Sequence, residues 1–216
     1  MAQKTQGTVV YMQSGALAAA TTITAITKAN PAVVTTSAAH GYVAGDVVVI
    51  NGVVGMQEVN ARAFVVVAPS GSNFSLKGVD STNYTTYTSG GTAQKATLTA
   101  IGEVKALPDL GGTEPNPIDV SHLQSLSTEE IAGLPKQSPI TFECWFDLGT
   151  AGQSALIAAN QDLNDRAFHI LKPSRWNLTV LAQVSGFRVT GGDVNSAFSA
   201  SVTLTPRAAG AWSVTA

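Results

Sequence analysis

Polar and apolar positions alternate with a period of two through much of the C-terminal half. Ile140, Phe142, Cys144, Phe146 and Leu148 form one apolar row, with Thr141, Glu143 and Asp147 between them and only Trp145 breaking the polar side. Phe198, Ala200, Val202 and Leu204 alternate in the same way with Ser199, Ser201, Thr203 and Thr205. Trp176, Leu178, Val180, Ala182 and Val184 make a third row; Leu98, Ala100, Val104 and Ala106, with Gly102 in step, make a fourth. Successive side chains of a strand point to opposite faces, so each row predicts a strand with one buried side. Trp176–Arg188 and Phe198–Thr205 are predicted to pair antiparallel through Thr190-Gly191-Gly192-Asp193, and Val9 to Met12 predicts a short strand.

Helical signals are few. Thr150 is placed to cap a helix running to about Gln161, with Leu156, Ala151, Ala155 and Ala159 able to lie against a sheet. Ser127-Thr128-Glu129-Glu130 has the spacing of a capping box, and Gly133 and Pro135 would stop that helix after little more than one turn. Between the Ala-rich Ser14–Thr22 and Ser89-Gly90-Gly91-Thr92 lie four short strand-like runs, Ala32–Thr36, Asp46–Asn51, Arg62–Val67 and Phe74–Lys77. Their spacing of about ten residues predicts a small β-barrel or roll. The chain then reads as one discontinuous domain, 1–22 plus 94–216, interrupted by an inserted domain, 23–93. Pro108 to Pro139 is a long proline-bearing stretch with little periodicity. Such a stretch in a compact domain is functional or disordered, and an ordered one needs partners outside its own domain.

Composition narrows the class. Of 216 residues, 12% are charged and 44% hydrophobic, with a net charge of −2. That is about half the usual charged share. A surface so poor in charge is tolerable when neighbours cover it. A binder that neutralises phosphates carries a basic excess, and none is present. No run approaches the length of a membrane span, and the first residues lack the apolar stretch of a secretory signal. The lone Cys144 excludes an intrachain disulfide and a cysteine-based zinc cluster.

Catalytic patterns are missing or better explained otherwise. No Gly-x-Ser-x-Gly elbow, dinucleotide fingerprint or phosphate loop occurs. His40 reads as a turn histidine, and His122 and His169 as structural or interfacial. Cys144 lies on an apolar row, where a thiol is inert. Asp162 and Asp165 have the look of a glycosidase pair, yet a helix C-terminal turn accounts for them with less. The reading is of a chain that is no enzyme and takes no cofactor or metal. Charge distribution says more. Glu103, Asp109, Glu114, Asp119, Glu129, Glu130, Glu143 and Asp147 face only Lys105 and Lys136 across that stretch. From Arg166 onward Lys172, Arg175, Arg188 and Arg207 follow, with Asp193 the one acid. Intrachain pairing would explain this. So would head-to-tail contact between copies, with Asp109, Glu114, Asp119, Glu129 and Glu130 meeting Arg166, Lys172, Arg175 and Arg188 of the next subunit.

The order of motifs in the C-terminal half resembles a known family. Gly152-Gln153-Ser154-Ala155-Leu156 precedes Asn164-Asp165-Arg166-Ala167-Phe168-His169-Ile170, and the last long strand carries Val202-Thr203-Leu204-Thr205. With Gly7–Tyr11 and Thr97–Leu107 as the first two strands, this looks like the major tail tube protein of long, non-contractile phage tails. The inserted segment, with Ala32–Thr36, His40-Gly41, Gly45-Asp46, Ile50–Val53, Asn60, Phe64, Phe74–Leu76 and Gly90-Gly91-Thr92, resembles a small β module of phage tail proteins; a related barrel occurs in ubiquitin-activating enzymes. The resemblance implies a mainly β fold: a tail-tube sandwich or barrel with one flanking helix, interrupted by a small all-β unit. It also implies a virion protein, assembled in the host cytoplasm into stacked hexameric rings around a tape-measure protein and joined to tail-end proteins. DNA would cross its lumen without specific binding. The alternative is a two-domain β module that binds carbohydrate, with Tyr42, Tyr84 and Tyr87 of the insertion exposed for stacking on sugars.

Overall fold

The computed structural model describes residues 5–191, 194 and 196–214. Gly192 and Asp193 of the expected connection lie outside the described residues. The fold is mainly β, as the alternation predicts, with one long helix. Elements are numbered in chain order.

The larger sheet holds β1 (Val9–Gln13), β8 (Leu98–Ile101), β9 (Val104–Leu110), β14 (Ile140–Trp145), β15 (Asp165–Lys172), β16 (Trp176–Thr190), β17 (Ser199–Pro206) and β18 (Ala211–Val214). Their order is β8-β1-β15-β16-β17-β14-β9, and β18 also pairs with β16. Every pairing is antiparallel. The 15-residue β16 is the hinge of the arrangement. Its first half pairs β15 from Trp176 to Gln183, and its second half pairs β17 as far as Thr190. A register shift between Val184 and Gly186 bends it from one layer to the other, as bulges do. Phe142, Phe168, Ile170, Leu178, Val202 and Leu204 fill the space between the layers. Helix α1 (Ala151–Asp162) adds Leu156 and Ala159 to that core.

The second unit is a closed six-stranded barrel in the order β2-β3-β6-β5-β4-β7. It comprises β2 (Thr21–Ile26), β3 (Val33–Thr36), β4 (Val47–Val54), β5 (Arg62–Ser70), β6 (Asn73–Leu76) and β7 (Ser89–Ala96). Its own core includes Val34, Val48, Ile50, Phe64, Phe74 and Leu76. The four runs read from the sequence are its inner strands. The closing strands β2 and β7 were not evident, because Thr21–Ile26 and the Gly-rich Ser89–Ala96 carry weak apolar rows. The barrel also packs on the sheet through Val47, Val49, Ala63 and Val65 against Ala167 and Leu181. That contact buries the second face of β15 and β16, so Leu181 and Thr179 are buried although alternation assigns them to solvent.

Several local expectations fail, among them the ends of two apolar rows, since Leu148 and Phe198 lie outside the strands and are exposed. The predicted turn of helix at Ser127–Gly133 does not form; Glu130–Ala132 is strand β12, paired with β11 (Pro117–Asp119). A capping box supplies one turn only, and with Gly133 and Pro135 close behind it cannot outweigh ribbon pairing. The row from Leu98 to Ala106 is also not one strand. Gly102 and Glu103, the latter with φ +59°, turn the chain between β8 and β9, which end up at opposite limits of the sheet order.

Candidate assembly interface

The layer β16–β17–β14–β9 is open at both sides. Beyond Gln183, β16 has lost β15 as a neighbour, so the edge from Val184 to Thr190 has no backbone partner among the described residues. At the far side, β9 pairs only with β14 among the described residues, and Thr5–Thr8 border a shallow cleft with Val104–Leu107. Pro108 sits in β9, where an edge strand tolerates a residue without an N–H. The side of this layer away from the core carries Ser199, Ser201, Thr203 and Thr205 of β17, flanked by Thr141 and Glu143. Glu143 is paired with Lys105 at 3.1 Å, and the Lys105 ammonium lies 4.7 Å from the Trp145 ring centre.

The Pro108–Pro139 stretch is ordered as a two-stranded arm. Beyond β9 and before β14, β10 (Thr113–Glu114) pairs β13 (Lys136–Gln137), and β11 pairs β12. None of residues 112–139 is buried. Leu123, Leu126 and Leu134 are almost fully exposed, and Ile118 and Ile131, directly opposite each other, are about half exposed. At its root the arm leaves a cavity of about 190 Å³ against Leu178, Val180 and Trp212.

The residues singled out by charge separate into two kinds. Glu114, Asp119, Glu129 and Glu130 all lie on the arm, and Asp109 at its root accepts the Gly111 N–H. Asp119 accepts hydrogen bonds from Ser121, which hold its carboxyl below the usual range. The basic set is spread along β15 and β16. Arg166 bonds Asp162 within its own chain, and the backbone of Asn164 together with Arg166 keeps the Asp162 carboxyl low. Lys172 donates to the Gln6 carbonyl. Arg175 is exposed in the β15–β16 turn, and Arg188 is exposed on the open edge of β16. Arg207, outside that set, pairs with Asp165 at 2.8 Å, which raises its guanidinium pKa. The structure thus gathers the acids on one projecting element and leaves Arg166 engaged internally.

Residues that charge and alternation do not flag hold the layers together. Gln153 is fully buried in α1; its amide donates to the Trp145 and Gly102 carbonyls and accepts the Asp147 N–H. Gly152 lets the helix meet β8, since a Cβ there would collide with the Ala100 backbone. Thr150 precedes the helix but donates to the Asp147 carbonyl instead of capping. Ala151, expected against the sheet, is exposed, and Gly152 and Gln153 take the buried positions. The Gly-Gln pair is therefore a packing motif.

The carbohydrate alternative loses its residues. Tyr42 is buried and donates to the Ala93 carbonyl; Tyr87 donates to the Ile23 or Gly90 carbonyl; Tyr84 packs on the barrel core. None of the three offers an open ring face of the kind expected. His40 stacks on Tyr42, meets Phe74 edge to face and accepts the Tyr42 N–H, as a turn histidine does. Cys144 is buried, and burial raises its thiol pKa. His169 is buried where β15 meets the barrel, bonded to Thr179. Burial, with Lys77 nearby, pushes its pKa down to about 4.

Comparison with known proteins gives three results. Residues 29–97, about a third of the chain, match the model of the ubiquitin-activating enzyme E1 FCCH domain. No curated protein matches the chain. Among solved structures, the chain is similar to a protein in the tail of an empty GTA particle refined with C6 helical symmetry. That match has 16% identity and a TM-score of 0.41, over 55% of this chain and 87% of the other. It is also similar to a protein in the 6-fold symmetrised baseplate of the anti-feeding prophage, at 8% identity and a TM-score of 0.41, over 54% and 83% of the two chains. At that TM-score neither match bears on function.

Proposed function

We propose that this chain is a structural, non-catalytic subunit of a phage tail tube. Residues 1–22 with 94–216 form the wall, and 23–93 is an inserted unit carried on the outside. The observation that carries the reading is the four-stranded layer with two unpaired sides. Its strands alternate in direction, β16 and β14 one way and β17 and β9 the other. With an even number of strands, a copy turned about an axis along the strands brings its β16 edge beside β9 in antiparallel register. Edge pairing then satisfies the open backbone groups and merges the layers into one continuous wall. A heterologous contact of this kind closes into a ring when the rotation between copies divides a full turn.

The motif order in the sequence supports six copies per ring and a stack of rings around a tape-measure protein, with tail-end proteins beyond. The outward face of the layer suits a channel. It is rich in hydroxyls, Glu143 is neutralised by Lys105, and among the described residues Arg188, opposite Ser201, does not amount to a basic cluster that would hold passing phosphates. The virion is the place of action and the host cytoplasm the place of assembly.

Negative-stain microscopy of the purified protein tests this across concentration and salt. Rings or tubes are expected at high concentration. Ala106→Lys combined with Thr190→Lys puts like charges on one face of the joint, where Arg188 also lies, and should abolish them. Particles that stay monomeric under every condition, or a double variant that assembles like its parent, would overturn the reading.

A further inference from the structure

We propose that Arg188 of one copy pairs with Asp109 of the next, an ion pair that sets the register of the joint between subunits. This rests on the ring reading above. Taken from Gly186 onward in β16, the four strands of the open layer carry only four charged residues: Lys105, Asp109, Glu143 and Arg188. Residues directly opposite in a sheet share a face. Arg188, Ser201, Glu143 and Ala106 form one rung of the outward face, and Gly186, Thr203, Thr141 and Asp109 form the next. Lys105 and Glu143 already answer each other. Arg188 and Asp109 are left, both exposed and neither in an ion pair among the described residues. Asp109 Oδ1 accepts the Gly111 N–H, and Oδ2 has no partner among those residues. The two charges stand on the two open strands, with β17 and β14 between them. At about 4.8 Å per strand they are about 14 Å apart across the layer, too far to meet within one copy.

A ring removes that separation, because β16 of one copy then lies beside β9 of the next. Parity limits how they meet. Phe187 and Val189 are opposite Val202 and Ala200 on the core side of the layer, and Leu107 and Leu110 pack on that core. A slip of one residue would drive Arg188 in among those apolar side chains. The registers that remain differ by whole rungs. With the rungs level, Arg188 lies diagonal to the neighbour's Asp109, within the reach of so long a side chain. Slid one rung in one direction, the two are directly opposite. Slid one rung in the other, Arg188 is carried away from Asp109 and towards Lys105. These levels are read between Gly186 and Thr190, wholly beyond the bend of β16, and Asp109 precedes the turn at Gly111. Asp109 also lies clear of the cleft along Val104–Leu107. Backbone pairing forms nearly as well in any of the three registers. Charge separates them, which is what interfacial charges do best. The pairing has a consequence for the channel as well. A bare guanidinium on every copy would attract passing phosphates, and a carboxylate beside it cancels that pull.

The test is a charge exchange, read as the assembled fraction by sedimentation at low salt. Arg188→Glu alone and Asp109→Lys alone should each cut assembly about tenfold, because each sets like charges together. The two changes on one chain restore the pair between neighbours and should recover most of the assembly. Single variants that assemble like the parent, or a double variant no better than the singles, would overturn the pair. The free chains are melted in parallel. Should Asp109→Lys lower the melting temperature through the Gly111 bond, neutral variants take over, since Asp109→Asn keeps an oxygen for that N–H. Asp109→Asn and Arg188→Gln should then each weaken assembly about threefold, and the two together no more than either alone. Losses that multiply in the double variant would overturn the pair. So would an equal loss from Asp193→Asn, which removes the acid nearest to Arg188 in sequence. The edge variant Ala106→Lys with Thr190→Lys separates the two claims. Rings lost there while the charge variants assemble normally refute the pair alone, and rings surviving there refute the ring reading itself.

Discussion

The barrel and the arm are both excursions from the same sheet, and they solve the same problem in opposite ways. The barrel leaves after β1 and returns into β8; the arm leaves after β9 and returns into β14. The barrel closes six strands on a core of its own that includes Phe64, Phe74 and Leu76, all fully buried. The arm pairs four short strands and buries no side chain. A closed barrel satisfies its backbone and covers its apolar face at once. A lone ribbon satisfies only half its backbone groups and covers nothing. Such a ribbon draws little stability from the body that carries it.

Mutations that probe each region sharpen the contrast. Phe74→Ala removes a ring packed on His40 and Tyr42 and should destabilise the barrel by about 3–5 kcal/mol, measured by urea unfolding of the free chain. Gln153→Leu strips three backbone groups of their partner and should cost about 2–4 kcal/mol in the same assay. That loss belongs to the sheet and should leave a barrel unfolding transition in place if the two units melt separately.

The contact between the barrel and the sheet has its own signature. His169 is neutral when folded, with a pKa near 4, against the ordinary 6.5. The unfolded chain therefore binds a proton first as pH falls. Stability is intact above about pH 6.5, declines between 6.5 and 4, and levels off below, a total of about 3 kcal/mol. His169→Gln should flatten that decline in unfolding measured across the window; an unchanged slope would place the titration elsewhere. The smallest effect is expected in the arm. Leu123→Ala and Leu126→Ala should change the stability of the free chain by less than about 0.5 kcal/mol, since both side chains already face water. A larger loss would mean that the arm folds back on its own body.

Much of this architecture was legible in the residues. The rows around Phe142, Val180 and Val202 are the core-facing rows of β14, β16 and β17, and the four runs between Ala32 and Lys77 are barrel strands. Alternation reports one face at a time, however. It could not show that Leu181 and Ala167 are buried by a barrel arriving from a distant part of the chain. Its prolines mark the arm as anomalous but do not disclose its strands. Ribbon strands of two or three residues carry no apolar row, and a capping box at Ser127 pointed the wrong way. The acidic set was legible as a charge asymmetry. Its gathering on one projecting element was not, because pairings such as Asp119 with Glu130 depend on register.

The sequence by itself determined the class of fold, the position of its strands and the poverty of charge, because period-two alternation and composition are local properties. Only the tertiary structure decided where β16 bends, which of its edges stay open and which carboxylates face each other. Those are consequences of register and of which distant segments meet. No window of residues contains them, since each backbone group left unpaired is defined by the strand that fails to arrive beside it.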